Sequence, residues 1–201
     1  MATLSLEFGV AGCVAPGHRV SGDLEVVHYY NRGGEALVAV IDGIGHGEQA
    51  AATARLVADT LLGHPQEPLA ALVSRCHSAL RGTRGAVLSL ASIDLRRALL
   101  SWLGVGNVSG VVSRGAPTVL GGQEELLVRP GVLGSGDLPV LQAAILPLRI
   151  RDTLIFATDG ISRRFSDRLA VGTNAQVLAD EIIARHCPGN DDALVVVARA
   201  G

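Results

Sequence analysis

The chain has 201 residues, of which 48% are hydrophobic and only 3% aromatic, and its formal net charge is −2. This length and composition favour one globular domain with an aliphatic core. The small net charge and the lack of basic clusters among aromatic residues exclude a nucleic-acid-binding protein.

The N-terminus and the cysteines bear on location and redox state. The N-terminus lacks the pattern of a signal peptide, and no uncharged apolar run approaches the about 20 residues that span a bilayer. We therefore expect a cytoplasmic protein that does not enter a membrane. Cys13, Cys76 and Cys187 are odd in number and far apart, which favours reduced thiols over a disulfide framework or a zinc site.

Hydrophobic patterns predict a β-rich start, two helices, a β meander, a third helix and a last strand. Predicted strands cover residues 3–14, 19–30, 36–42, 86–94, 98–105, 108–114, a segment that ends at Asp159, and 193–199. Predicted helices cover residues 47–62, a segment that begins near Pro65 and Pro68 and continues to Leu80, and 174–186. Residues 115–150 are expected to hold further short strands between glycine-rich turns. No repeat or linker divides the chain, so we expect one α+β domain, residues 1–201, with packed sheets covered by helices.

Four acidic positions lie at predicted strand ends beside glycine or another turn residue. They are Asp23, Asp42, Asp159 and the Asp191–Asp192 pair. The apolar run 36–41 leads directly into Asp42-Gly43, and a second apolar run leads into Asp159-Gly160. A carboxylate in such a place is costly to bury unless a positive group meets it, and a metal ion does so.

A single Asp-Gly pair is usually only a turn, and turn or strand-start duty explains Asp94 and Asp152. Four aspartates at strand ends are less easily explained in this way. Carboxylates with few His or Cys partners favour Mg²⁺ or Mn²⁺ over zinc or copper. Two such ions about 3.5–4 Å apart can bind a phosphoryl group and lower the pKa of a bridging water, which then attacks phosphorus. The pattern therefore predicts phosphate-ester hydrolysis.

Several polar residues near these aspartates have two interpretations. His46 either contacts phosphate or donates a proton, or it caps or precedes the helix that begins near Gly47. His18 and Arg19 could face the phosphate, although a solvated turn after Pro16-Gly17 is the favoured explanation. Asn107 is interpreted as a turn residue and not as a ligand.

In chain order, several short motifs together resemble one family. They are Ser21-Gly-Asp23, Ala39-Val-Ile-Asp42-Gly-Ile-Gly-His46-Gly47, Gly104-Val-Gly-Asn107, Gly131-Val-Leu-Gly134, Asp152-Thr-Leu-Ile-Phe-Ala-Thr-Asp159-Gly160 and Asp191-Asp192-Ala-Leu-Val-Val-Val. The chain resembles the bacterial branch of the metal-dependent, type 2C-like (PPM) serine/threonine protein phosphatases, the branch of SpoIIE, RsbU and RsbX. This resemblance implies a β-sandwich of two mainly antiparallel sheets flanked by helices.

The resemblance also implies roles for the aspartates and two bound Mn²⁺ or Mg²⁺ ions. Asp42 would bridge both metals, and Asp23 and the Gly43 carbonyl would complete the first metal site. Asp159 and Asp191 would complete the second, with Asp191 preferred over Asp192. The arginine that grips phosphate in eukaryotic relatives has no secure counterpart, because Arg19 is near but out of register.

The domain begins almost at Met1 and stops at its last strand, and this favours a phosphatase of the RsbX type, the feedback phosphatase of the stressosome. By analogy, the expected substrates are phosphoserine and phosphothreonine on STAS-domain proteins of the RsbS and RsbR kind, so that hydrolysis resets a stress-signalling switch. One alternative is a pseudophosphatase that binds these phosphoproteins without hydrolysis. Another is a phosphatase for a small phosphorylated metabolite.

Overall fold

The computed structural model describes residues 4–115, 122–169 and 174–201. Within these residues, the strands are β1 Leu6–Cys13, β2 Asp23–Tyr30, β3 Glu35–Gly43, β4 Ala86–Asp94, β5 Leu99–Val105, β6 Ser109–Ser113, β7 Gln123–Glu125, β8 Ala144–Pro147, β9 Thr153–Ala157 and β10 Ala193–Ala200. The α-helices are α1 Glu48–Gly63, α2 Leu69–Ala79 and α3 Ala175–His186, and 3-10 helices cover Asn31–Gly33 and Arg163–Arg168.

The strands form two five-stranded sheets in which all neighbouring strands are antiparallel. Sheet I has the strand order β1-β10-β9-β6-β7, and sheet II has the order β2-β3-β4-β5-β8. In sheet I the last strand in sequence, β10, lies between the first strand and β9. This position brings the segment before β10 next to the ends of β1 and β9.

The two sheets pack face to face, and helices cover both outer faces. Aliphatic and aromatic side chains of both sheets, including Val40, Leu100 and Phe156, form the core between the sheets. Helices α1 and α2 bury side chains such as Leu61 and Leu72 against sheet II. Helix α3 packs against β1 and β10 of sheet I. The predicted α+β sandwich with flanking helices is therefore confirmed.

Strand β3 shows why its sequence is continuously apolar. Val38 and Val40 point into the core between the sheets, whereas Leu37 and Ile41 point toward α1 and α2. Because both faces of this strand are covered, neither face can be polar. The strand ends with Asp42 and Gly43. Asp42 is only half-buried, so its carboxylate lies where the fully buried apolar run ends.

The predicted elements match the structure closely, with a few differences at their ends. The strand predicted over residues 19–30 begins only at Asp23, because Ser21 Oγ accepts a hydrogen bond of 3.0 Å from Asp23 N and closes a turn there. The strand predicted to end at Asp159 stops at Ala157. The expectation for residues 115–150 includes 116–121, which lie outside the described residues, and β7 and β8 are found in the remainder. Across the described part of the chain, no helix is both long and apolar enough to cross a membrane.

Candidate functional site

Asp23 and Asp42 lie directly opposite each other on the neighbouring strands β2 and β3. Both side chains are half-buried. Burial, followed by the negative charges of Asp23, Asp159, Asp191 and Asp192, raises the pKa of Asp42 to about 8. Burial likewise raises the pKa of Asp23 to about 7, although a hydrogen bond from Thr158 opposes the shift. The pair is therefore a concentrated negative site that favours a bound cation or proton.

Asp159 is brought to this pair from sheet I. It follows β9 by two residues, and its Oδ2 accepts a hydrogen bond of 2.6 Å from Asn107 Nδ2. The preceding residue, Thr158, donates from Oγ1 to Asp23 Oδ2 over 2.7 Å and accepts from the backbone N–H of Leu194 over 2.9 Å. The end of β9 is thereby joined to both β2 and β10.

Asp191 and Asp192 differ sharply in their surroundings. The Asp192 side chain is buried, with 5% exposure. Its Oδ1 accepts from Ala15 N and its Oδ2 from Gly22 N, each over 2.8 Å. Asp191 is exposed, and its Oδ1 accepts from Asp192 N over 2.8 Å. Because both oxygens of Asp192 are used by backbone donors, Asp191 is the carboxylate of this pair that is free to turn toward a cation.

Glycine at position 43 is required by the close approach of α1. A Cβ on Gly43 would lie 2.3 Å from the carbonyl oxygen of Ala50, near the start of that helix. The Gly43 N–H donates to Gly22 O over 3.1 Å. Both contacts hold the end of β3 between α1 and the segment that precedes β2, so the Gly43 carbonyl lies beside Asp42 in a fixed backbone.

The residues predicted to contact phosphate lie on exposed turns around the aspartates. The rings of His18 and His46 contact each other, with their centroids 4.3 Å apart. Helix α1 begins after Gly47 without a side-chain cap, so His46 precedes this helix and does not cap it. Arg19 lies on the turn before Ser21, and it forms no hydrogen bond or ion pair within residues 4–115, 122–169 and 174–201.

A different arginine packs against the glycine-rich turn that follows Asp42. A Cβ on Gly45 would lie 3.0 Å from Arg84 Nη1. The Arg84 side chain is exposed and forms no ion pair with any residue that the structure describes. A guanidinium in this place can bind a phosphate oxygen with two parallel hydrogen bonds.

A pocket of about 340 Å³ opens beside Asn107. Phe165 and Val111 contribute apolar surface, and Arg163 and Ser166 come from the 3-10 helix that follows Asp159-Gly160. Asn107 Oδ1 is buried and has no hydrogen-bond partner within the described ranges. Because Asn107 Nδ2 donates to Asp159, the amide orientation is set and the described residues leave Oδ1 as an unsatisfied, buried acceptor.

The chemistry of this donor set fits Mg²⁺ or Mn²⁺, because every predicted ligand is an oxygen. Within the described residues, however, no three His, Cys, Asp or Glu side chains converge closely enough to form a ready metal site. The carboxylates of Asp23, Asp159 and Asp191 instead accept hydrogen bonds from Thr158, Asn107 and Asp192 N. Each of these bonds engages one oxygen of its carboxylate, and the other oxygen accepts no hydrogen bond within the described residues and could bind a cation.

Sequence reasoning missed Thr158, Arg84 and Arg163 as residues of this site, and it interpreted Asn107 only as a turn residue. Thr158 precedes the Asp-Gly pair directly, and that adjacency was the one available signal. Arg84 is 42 residues from Asp42 in sequence, so its position depends on the pairing of β3 with β4.

Comparisons with known proteins show the family of this chain. The sequence matches the family Stage II sporulation protein E (SpoIIE) over residues 32–200. It is 30% identical over 74 residues to the phosphoserine phosphatase RsbX of Bacillus subtilis (strain 168). That alignment spans 37% of this chain and 37% of the relative.

Solved structures share the fold over nearly the whole chain. One, from work on the bacterial stressosome as a modular system adapted to control secondary messenger signalling, has 29% identity and a TM-score of 0.85. It covers 97% of this chain and 100% of its own. The structure of RsbX in complex with magnesium has 20% identity, a TM-score of 0.85, and coverage of 98% and 96% of the two chains. The family match spans most of the chain, and the chain therefore belongs to the SpoIIE family of PP2C-type (PPM) phosphatases.

Proposed function

We propose that this chain is a cytoplasmic, divalent-cation-dependent phosphoserine and phosphothreonine protein phosphatase, and that residues 1–201 act as one domain. One observation carries the proposal. Asp23 and Asp42 face each other on β2 and β3, and burial together with Asp159 and Asp191 raises the pKa of both. A fold that concentrates negative charge in this way, with no ion-pair partner for these aspartates among the described residues, is suited to hold cations that in turn bind phosphate.

Two Mn²⁺ or Mg²⁺ ions are the proposed cofactors. Asp42 would bind both ions, Asp23 and the Gly43 carbonyl would be further ligands of one ion, and Asp159 and Asp191 would be further ligands of the other. When bound, the ions neutralise the phosphoryl group and make the attacking water more acidic. The chain's own task is to hold these oxygens in position, and Thr158 and Asn107 do so for Asp23 and Asp159.

The phosphate and its protein carrier meet different parts of the site. Arg84 and the His18–His46 pair border the turn after Asp42 and are proposed to bind the phosphate. The pocket beside Asn107 is proposed to receive the chain next to the phosphorylated residue. Arg163, which lines this pocket, suits an acidic neighbour of the phosphorylated residue.

The proposed substrates are phosphorylated STAS-domain proteins of the RsbS and RsbR kind in a stressosome, so that hydrolysis resets a stress-signalling switch. Two similarities support this substrate. The relative named RsbX is a phosphoserine phosphatase, and a similar solved structure concerns the stressosome.

The direct test is phosphate release from a phosphorylated STAS-domain protein, with Mn²⁺ and then with EDTA. We expect release that requires Mn²⁺ and stops with EDTA. Asp42→Asn should abolish it, whereas Asp59→Asn, an exposed aspartate on α1, should not change it.

Three results would contradict parts of this proposal. Tight, phosphate-dependent binding without release from folded, Mn²⁺-loaded protein would indicate a pseudophosphatase. Equal rates on free phosphoserine and on the phosphoprotein would indicate a phosphatase for small metabolites. Full activity of a folded Asp42→Asn variant would show that the aspartate pair is not the catalytic site.

A further inference from the structure

Two of the three cysteines meet at one end of sheet I. Cys13 is the last residue of β1, and Cys187 follows the last residue of α3. Their Sγ atoms are 2.7 Å apart, and both side chains are only partly buried. Cys76, in contrast, is fully buried in the core between sheet II and its helices.

We propose that Cys13 and Cys187 form a site of reversible oxidation, at which a small-molecule disulfide converts the two thiols into an intramolecular disulfide. A disulfide requires its sulfurs to be about 2.05 Å apart, so these two need to approach by only about 0.7 Å. The partial exposure of both side chains admits a small oxidant, and the distance in sequence is irrelevant because the fold has already joined the two positions.

The reaction proceeds by two thiol exchanges. The thiolate of Cys187 attacks the small-molecule disulfide, forming a mixed disulfide and releasing one small thiol. The thiolate of Cys13 then attacks the Cys187 sulfur and releases the second small thiol. Two protein thiols thus lose two electrons and two protons, and the oxidant is reduced to two thiols.

The disulfide would anchor the start of the segment that carries Asp191. Cys13 is already the pairing partner of Ala193 in the ladder between β1 and β10. A bond to Cys187 would therefore fix both ends of residues 187–193 to β1. Asp192 already ties this segment to Ala15 through a hydrogen bond of 2.8 Å. Oxidation would add a covalent link between β1 and the segment that precedes β10.

The exchange is expected to be slow. Burial, followed by the adjacent Cys187, raises the pKa of the Cys13 thiol to about 12. Thiolates and not thiols carry out the exchange, so incubation must last for hours near neutral pH.

The test uses the full chain with oxidised glutathione as the oxidant, followed by denaturation and alkylation of the remaining thiols, because Cys76 is buried in the folded protein. We expect one alkylated cysteine, Cys76, and a mass about 2 Da below that of the reduced protein before alkylation. Trypsin should then release peptide 1–19 joined to peptide 186–199, with the alkylated cysteine in peptide 76–81. The melting temperature should rise by about 5–15 °C and return after dithiothreitol.

Serine variants provide the controls. Cys76→Ser should still form the cross-link, whereas Cys13→Ser and Cys187→Ser should lose both the cross-link and the rise in melting temperature. The proposal is wrong if folded wild-type protein remains reduced after a day. It is also wrong if Cys13 and Cys187 each retain a separate glutathione. Neither readout depends on phosphatase activity.

Discussion

Thr158 Oγ1 donates a hydrogen bond of 2.7 Å to Asp23 Oδ2, and this bond joins sheet I to sheet II within the candidate site. The same hydroxyl accepts from Leu194 N on β10 over 2.9 Å. The buried side chain of Thr158 therefore orients Asp23 of sheet II and accepts a hydrogen bond from the backbone of β10 in sheet I. Such supporting residues set the direction of a ligand without touching the ion themselves.

We expect Thr158→Val to lower both stability and cation affinity. The change keeps the shape but leaves Leu194 N–H without this acceptor, which should cost about 1–3 kcal/mol in the free energy of unfolding. Mn²⁺ affinity should fall about 10- to 100-fold because Asp23 loses its orienting donor. Urea unfolding and calorimetric Mn²⁺ titration measure the two effects. Thr53→Val is the control, because the Thr53 hydroxyl only donates to Gln49 O within α1. Unchanged Mn²⁺ affinity in Thr158→Val would contradict the supporting role of Thr158.

The neighbouring aspartates 191 and 192 should separate activity from stability. Asp192→Asn places an amide NH₂ against one of two backbone N–H groups, so the free energy of unfolding should fall by about 1–3 kcal/mol. Asp191→Asn should change that free energy by less than about 0.5 kcal/mol because the side chain is exposed. It should nevertheless reduce Mn²⁺-dependent turnover by about 100-fold or more. Chemical denaturation and steady-state kinetics on both variants check this. Loss of turnover in Asp192→Asn together with loss of stability in Asp191→Asn would make Asp192 the ligand.

The cation-free protein should lose stability as the pH rises. Asp23 and Asp42 have folded-state pKa values of about 7 and about 8, raised first by burial, against an ordinary value of 3.8. Between roughly pH 4 and pH 8 the folded protein therefore binds more protons than the unfolded chain at these two groups. Their stabilising effect is fully present below their ordinary pKa of 3.8. It is lost as the pH rises through the folded-state pKa values of about 7 and about 8.

Melting temperatures in EDTA and in Mn²⁺ measure this effect. In EDTA the melting temperature should fall between about pH 5 and pH 8, and Mn²⁺ should restore it most strongly at about pH 8, where the carboxylates are ionised. Asp42→Asn should weaken the pH dependence in EDTA. The change in melting temperature of Asp42→Asn over this pH range is subtracted from that of the wild type. If the remaining melting temperature in EDTA rises with pH, the raised pKa values of the aspartate pair are contradicted.

Arg84 should act on every phosphate substrate. Because its guanidinium lies beside the Gly45 turn, Arg84→Ala should lower kcat/KM about 10-fold both for p-nitrophenyl phosphate and for a phosphoprotein. Arg55→Ala, which removes an exposed arginine from α1, is the charge-matched control. Wild-type kcat/KM in folded Arg84→Ala would exclude a phosphate contact.

Arg163 should act only on protein substrates. It lines the pocket beside Asn107, away from the Gly45 turn. Arg163→Ala should raise KM for a phosphoprotein about 10-fold and leave p-nitrophenyl phosphate hydrolysis unchanged. Parallel kinetics on the two substrates give the answer, and an equal loss on both would place Arg163 at the phosphate.

Local sequence patterns were enough to predict most of the framework. The strand predicted over residues 86–94 has the same bounds as β4. A run of buried apolar residues between two turns is compatible with few other structures. The turn role predicted for Asp94 is confirmed, since its Oδ1 accepts from Arg96 N and Arg97 N. Such features depend only on residues close in sequence.

Features made by distant residues could not be predicted in this way. Asp152 was interpreted as a turn or strand-start residue, yet its buried carboxylate also pairs with Arg114 over 2.6 Å. The 3-10 helix Arg163–Arg168 is too short to show a period, so the pocket that it borders had no sequence signal. The free oxygen of Asn107 likewise became visible only when β9 placed Asp159 beside its amide.

The position of β10 between β1 and β9 has a consequence for synthesis of the protein. Strand β1 pairs with β10 along all of Leu6–Cys13, so the earliest strand waits for residues 193–200 before its partner exists. In a ribosome-bound chain that lacks those residues, β1 and β9 have no β10 to pair with, and Thr158 Oγ1 lacks the Leu194 N–H donor. We therefore expect the nascent protein to bind no cation and to hydrolyse nothing until β10 has left the ribosome.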